Sequence, residues 1–372
     1  AGVKVSNPWE PDHPWTPSDM DENTAGVVIE DNKIENLDVG VVVTNVMENE
    51  PVDDEDYEYY QGTVENLDIL NNTIKNNADG INIVSEEGPD TEREAGPPKN
   101  VNISDNKFTN NSNNGVKLFL DGGGDPSLTA SSTNAPDILG NDFDNQQSND
   151  AKALYINAKS ATNIDFKDND VKGYRGGVFA DKQNVHNLTV RGDSFDIPVV
   201  EDSDTAYYGY GVQLWHGNNL WVEGNTFTGS ISEYSTDKPY TSPDVQFNHY
   251  AVVSWTTAFM KQHYDDEGTP TWGDWPEIDG DVHIKGNEMS NLYLGASAFA
   301  ATSGEIVDNN IHDNKIGVQV GQTDQTYATE AAKGLAIESN DIVENDLGIW
   351  VQNFVEDGTH AYYNNLEGND KG

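Results

Sequence analysis

The chain has 372 residues, with 65 Asp and Glu against 20 Lys and Arg, a formal net charge of −45 and no cysteine. That balance disfavours a nucleic-acid partner, because no basic stripe is present to neutralise phosphates. The missing thiols exclude disulfides and thiolate metal sites, and no apolar run is long enough to span a bilayer.

Residues 1–25 precede the repeats described below. They carry Trp9, Trp15 and four prolines, Pro8, Pro11, Pro14 and Pro17. An open-ended repeat array needs its end covered, so this segment reads as an N-terminal cap or wrapping arm.

From residue 26 a short phrase recurs: an apolar residue, any two, Asn, any one, an apolar residue. It occurs at Ile29 to Ile34, Ile69 to Ile74, Ile103 to Phe108, Ile138 to Phe143 and Phe166 to Val171. It returns at Val190 to Phe195 (with Asp193 for Asn), Val222 to Phe227, Ile284 to Met289, Ile306 to Ile311 and Ile337 to Ile342. A partial copy lies at Ala361 to Leu366. A period of about 20 to 30 residues is short for a helical hairpin repeat and fits one turn of a β-solenoid.

Most copies carry a second strand signal, as in Gly80-Ile81-Asn82-Ile83, Gly115-Val116-Lys117-Leu118, Gly211-Val212-Gln213-Leu214 and Gly317-Val318-Gln319-Val320. Apolar residues alternate there with period two, which is strand chemistry. Asn at a fixed place suits a tight corner, since it tolerates left-handed backbone. Stacked copies predict an internal Asn ladder through Asn72, Asn106, Asn141, Asn169 and Asn225. Residues 26–372 therefore read as one all-β solenoid domain of about ten turns with loop insertions.

The insertions fall at 46–63, 86–98, 121–134, 197–208, 229–249, 258–278 and 323–332. They are densest between 197 and 278, a stretch rich in Trp, Tyr and His. Insertions in solenoids map to loops, often on the binding side. The sequence stops part-way through a turn, so a truncated or self-capping end is expected.

Within each second strand, the positions flanking the inward pair point outward. Down the stack these read Lys117 and Phe119, Tyr155 and Asn157, Phe179 and Asp181, Gln213 and Trp215, Val253 and Trp255, then Ser297 and Phe299. Aromatic faces interleaved with amides suit sugar rings, which present C–H faces and a rim of hydroxyls. Phe119, Tyr155, Phe179, Gln213, Trp215 and Trp255 are the substrate-binding candidates. Packing of the insertion loops on this stripe, as a second core, is the competing reading.

Beside the stripe lie Asp181, Lys182, His216 and Arg175. A polysaccharide lyase needs a base and a partner for the uronate carboxylate; a glycosidase needs two carboxylates. Asp181, Lys182 and His216 are the catalytic candidates, with no second carboxylate standing out from the acidic background. Asp121 and Asp125, in Asp-Gly-Gly-Gly-Asp, are the candidate ligands for Ca²⁺ as cofactor. Four Asn-x-Ser/Thr triplets, at Asn71, Asn102, Asn110 and Asn187, lend weak support to secretion.

The Ile-x-x-Asn-x-Ile repeat with its Gly-Val-x-Val second strand resembles the right-handed parallel β-helix repeats. These occur in pectate-lyase-like proteins, in the carbohydrate-binding and sugar-hydrolysis repeat family and in NosD-like proteins. The resemblance implies a right-handed coil and a polysaccharide or surface-glycan partner. The acidic composition resembles halophilic proteins, in which molar salt screens self-repulsion over roughly 3 Å. The expected function is extracellular glycan binding, with or without cleavage. The alternative is a non-catalytic structural or adhesive component of a cell or virion surface that self-associates.

Overall fold

The structure is a computed structural model. It describes residues 1–6, 24–45, 47–51, 57–61, 64–85, 98–120, 136–146, 151–158, 161–181, 185–198, 209–214, 217–229, 249–254, 262–264, 270–272, 281–298, 303–321, 333–352, 355 and 357–371. The chain divides into two compact units, Ala1–Ser194 and Phe195–Gly372.

Each copy of the repeat becomes one coil. In the first unit, Thr24–Glu30 enters sheet one, Lys33–Glu35 enters sheet two and Val39–Asn45 enters sheet three, after which the chain climbs to the next coil. Sheet one continues through Val64–Leu70, Lys99–Ser104, Asp137–Leu139, Ala161–Lys167 and Val185–Arg191. Sheet three contains Asp79–Ser85, Asn114–Leu120, Lys152–Ala158 and Gly176–Asp181 above Val39–Asn45, with Val3–Ser6 paired below it. The predicted leader around Trp9 and Trp15 lies outside the described residues.

The second unit repeats the plan. Its sheet one runs through Leu220–Glu223, Asp281–Lys285, Ser303–Val307, Leu335–Glu338 and His360–Tyr362. Its sheet three runs through Gly209–Leu214, His249–Ser254, Leu294–Ala298, Ile316–Val320 and Leu347–Val351. Two insertions contribute antiparallel hairpins, Met47–Pro51 with Tyr57–Gln61 and Gln262–Tyr264 with Pro270–Trp272.

Every described pairing between coils is parallel and without slip. Ile29, Ile69, Ile103, Ile138, Phe166 and Val190 lie opposite one another on successive coils. Parallel neighbours need a long crossover connection, which here is the rest of the coil through the other two sheets. The last apolar position of the repeat fills the coil interior. Phe108 stacks on Phe143 at 4.6 Å, and Phe195 stacks on Phe227 at 4.8 Å.

The Asn ladder forms as the repeat predicts. Asn106 donates from Nδ2 to Ile69 O at 2.8 Å, Ser104 O at 3.0 Å and Asn141 Oδ1 at 3.1 Å. Its Oδ1 accepts from the backbone N–H of Asn72 at 2.9 Å and from Asn72 Nδ2 at 3.0 Å. The chain of amides continues through Asn141 and Asn169 to Asp193. In the second unit it runs Asn225, Asn287, Asn309, Asn340, Asn364.

The left-handed residue is not the ladder Asn but the residue before it. Asp31, Asn71, Asp105, Gly140 and Asp168 hold φ between 55° and 64°. The corner needs one residue in this region with its side chain free to face water, whereas the ladder amide must face the core. A second ladder lines the next corner. Asn111 Oδ1 accepts from Asn77 N and Nδ2 at 3.1 Å each, and Asn345 Oδ1 accepts from Asn314 N at 3.0 Å.

Candidate functional site

The outer face of sheet three in the first unit gathers the residues singled out by alternation. The inward pair Val116 and Leu118 is fully buried, so Lys117 and Phe119 face out. Register places Asn82, Lys117, Tyr155 and Phe179 side by side on four successive coils. Val84, Phe119, Asn157 and Asp181 form the neighbouring row, and Asp79, Asn114 and Lys152 the row on the other side. Adjacent coils in such a sheet lie about 4.8 Å apart.

The Tyr155 and Phe179 rings lie 5.7 Å apart at an angle of 31°. Lys152 Nζ sits 5.8 Å from the Tyr155 ring and 5.9 Å from the Phe179 ring. Lys117 Nζ sits 5.9 Å from the Phe119 ring. Each ammonium meets the negative face of an aromatic ring, a contact of about 0.5–1 kcal/mol where partly exposed.

Amides complete the surface. Asp79 is buried and accepts at Oδ1 from Asn114 Nδ2 at 2.7 Å and at Oδ2 from Asn82 Nδ2 at 3.3 Å. Asn157 is 7% exposed and donates from Nδ2 to the Tyr155 hydroxyl oxygen at 3.2 Å. Asn82 Oδ1 and Asn157 Oδ1 are buried and accept no hydrogen bond among the described residues. A buried acceptor without a donor costs about 1–3 kcal/mol.

The stripe changes character in the second unit. The outward row there reads Gln213, Val253, Ser297, Gln319 and Trp350. Gln213 is half-buried, whereas Ser297 is fully buried and its Oγ donates to Val252 O at 3.4 Å. The outward positions are therefore not uniformly exposed. Trp350, absent from the sequence-derived stripe although it lies in the Gly348 to Val351 copy, packs with Leu347 against Leu294 and Ile316.

Asp181 closes the strand Gly176–Asp181, opposite Asn157, and its side chain lies outside the described set. Lys182, His216, Trp215, Trp255, Asp121 and Asp125 all lie outside the described residues. Among the described residues, no group of three or more His, Asp or Glu side chains is placed to hold a metal ion. Among them, too, no helix is long and apolar enough to cross a membrane. The described face thus combines three ring–ammonium contacts made by two lysines, amides fixed by hydrogen bonds and two buried amide oxygens without a described partner.

Residues 18–135 match the family described as the right-handed β-helix region. The chain has the right-handed parallel β-helix fold. Two solved structures are similar to this β-helix. One is the A-module of a mannuronan C-5 epimerase from Azotobacter vinelandii, at 12% identity over 93% of this chain and 88% of that one, with a TM-score of 0.36. The other is the surface protein and adhesin PfbA of Streptococcus pneumoniae, at 12% identity over 92% of each chain, with a TM-score of 0.33. Likeness at this distance transfers no activity to the β-helix. No curated protein matches the sequence.

Proposed function

We propose that the protein binds an extracellular polysaccharide along the outer face of sheet three in the first unit, in a high-salt setting. The observation that carries this is the Tyr155–Phe179 ring pair beside the Lys152 ammonium, in rows of the sheet that also hold Asn82 and Asn157. Sugars supply both halves of the match, with C–H faces for the rings and hydroxyl donors for the amides. Glycan-array binding in molar salt, compared with Tyr155→Ala and Phe179→Ala, is the test. Each change is expected to weaken binding roughly tenfold or more. Binding to no glycan, or binding untouched by both changes, rejects the reading.

Cleavage is the stronger form of the same proposal, with Asp181, Lys182 and His216 as the chemical groups and Ca²⁺ held by Asp121 and Asp125. Release of unsaturated uronate ends, abolished by chelation and by Lys182→Ala or His216→Ala, supports it. A glycan that is bound and recovered intact leaves a binder.

One observation favours a second reading, a structural or adhesive surface protein that self-associates. Of the five exposed large apolar side chains among the described residues, Val351, Tyr362, Tyr363 and Leu366 lie close together in sequence, and Tyr363 is 86% exposed. Of these, Tyr362 and Tyr363 form an adjacent pair with ring centroids 5.8 Å apart, and exposed apolar groups in contact can mark association surfaces. Light scattering in molar salt should show assemblies that Leu366→Asp and Tyr363→Asp dissolve; a strict monomer at every concentration excludes this reading.

A further inference from the structure

The four Asn-x-Ser/Thr triplets of the sequence stand in different surroundings once the coils are stacked. Asn102 is half-buried in the strand Lys99–Ser104. Its Nδ2 donates to Asp68 Oδ1 at 3.0 Å, and its Oδ1 accepts from Ser104 Oγ, the hydroxyl of its own triplet. Asn187, half-buried in Val185–Arg191, donates from Nδ2 to Asn163 Oδ1 at 2.9 Å. Asn110 is half-buried and accepts at Oδ1 from Gln146 N at 3.1 Å. Each of these three side chains is tied to a neighbouring coil.

Asn71 differs. It is exposed, with φ at 55°, on the corner between sheet one and sheet two. Its backbone N–H donates to Ser104 O at 3.2 Å, while its side chain makes no hydrogen bond among the described residues. Thr73, two residues on, opens the strand Thr73–Lys75. Ile74 is fully buried, so Thr73 faces out, and its hydroxyl has no partner among the described residues either. The left-handed residues along this corner of the first unit are Asp31, Asn71, Asp105, Gly140, Asp168 and Gly192. Asn71 is the one amide in that row of described residues. Asp105, on the next coil, leans away from it, since a Cβ on Gly140 would meet Asp105 Oδ1 at 3.0 Å.

We propose that Asn71 is an N-glycosylation site, its amide and the Thr73 hydroxyl presented together at a corner of the coil. The co-substrate is an oligosaccharide carried on a lipid diphosphate. The Asn71 amide nitrogen bonds to the anomeric carbon of the first sugar as the bond from that carbon to the diphosphate oxygen breaks. The amide gives up one proton, and the lipid diphosphate leaves with the electron pair. The hydroxyl two residues on is what makes such a triplet an acceptor. Transfer to Asn102, Asn110 or Asn187 first releases a hydrogen bond of the stack, which disfavours each by about 2- to 10-fold. At Asn71 the left-handed backbone already turns the side chain to water, so the sugar displaces no contact of the coil. It also stands off the outer face of sheet three, because this corner joins the other two sheets. The inference rests on the extracellular setting proposed above but not on glycan binding.

The test is the full chain sent down the secretory route of a halophilic host, with a flexible Asn-Gly-Thr tag added as yardstick, in a host that modifies the tag. Mass spectrometry of glycopeptides reads the occupancy of each triplet. Asn71 should be modified about 2- to 10-fold more often than Asn102, Asn110 or Asn187. Asn71→Asp, which installs the residue found at Asp31 and Asp105, should abolish that modification and leave the urea midpoint nearly unchanged. Thr73→Val should abolish it too, and Thr73→Ser should retain it. Binding to glycan arrays through Tyr155 and Phe179 should be the same in Asn71→Asp as in the parent, so failure of that reading and failure of this one are seen apart. A bare Asn71 beside a modified tag, or equal occupancy of all four triplets, overturns the proposal.

Discussion

Replacing Asn106 by Leu removes one rung of the first ladder while keeping the volume of the side chain. Three donated bonds from Nδ2 disappear, and Oδ1 no longer accepts from Asn72. Most of the partners are covered. Asn72 Nδ2 keeps Ile29 O at 2.8 Å and Leu70 O at 2.9 Å, Ser104 O still receives Asn71 N at 3.2 Å, and residue 106 still donates its own N–H to Asn141 Oδ1 at 2.9 Å. The buried backbone N–H of Asn72 is orphaned, and Ile69 O loses the bond it accepted from Nδ2. One unsatisfied buried donor costs about 1–3 kcal/mol and the lost bonds add about 0.5–1.5 kcal/mol each, partly offset by burying a more apolar side chain. A loss of about 3 kcal/mol is expected. The same change at Asn32, on the first coil, removes one exposed bond to Glu30 O and should cost less than about 0.5 kcal/mol. Urea unfolding in molar salt gives both values from shifts in midpoint at constant slope. A loss below about 1 kcal/mol at Asn106, or equal losses at the two positions, refutes the reasoning.

Asp193 occupies a ladder place and accepts from Asn169 N at 2.7 Å and Nδ2 at 3.0 Å. Burial drives its carboxyl well above the usual range, against the hydrogen bonds from Asn169. A raised carboxyl stabilises the fold only while protonated, so its contribution is complete below the unfolded value near pH 4 and is lost as pH rises. Asp193→Asn should therefore raise the urea midpoint at pH 7 and change it little at pH 3; a destabilised variant at pH 7 contradicts this. The melting temperature of the parent chain should climb between low and molar KCl, since screening relieves repulsion in a chain of net charge −45, and a flat response speaks against a salt-adapted fold. Gly115→Ala should cost about 1–3 kcal/mol by the same urea assay, because its Cβ would meet the Phe143 ring at 2.6 Å and Ala153 O at 2.8 Å. A neutral Gly115→Ala shows that the coils can spread.

The repeat alone determined the coil. An inward residue every second position and an Asn at a constant offset leave a parallel solenoid as the arrangement that buries both, and each rung named in advance, from Asn72 to Asn225, carries its hydrogen bonds. The second ladder was legible as well, since Asn77, Asn111, Asn314, Asn345 and Asn369 each follow the first Asn by five residues. The apolar-x-x-Asn-x-apolar phrase itself marks only the first corner. What the pattern could not carry is which side chains of different coils meet. Trp221 and His283 stack although 62 residues apart, and Nδ1 of His283 finds Glu305 one coil away. Alternation assigns a residue to a face, but exposure on that face depends on what packs over it, so Ser297 and Tyr155 share an outward position while only Ser297 is fully buried. Periodicity is a property of one strand and is written in the chain; contact across coils depends on register and on loops of unequal length, and only the folded stack decides it.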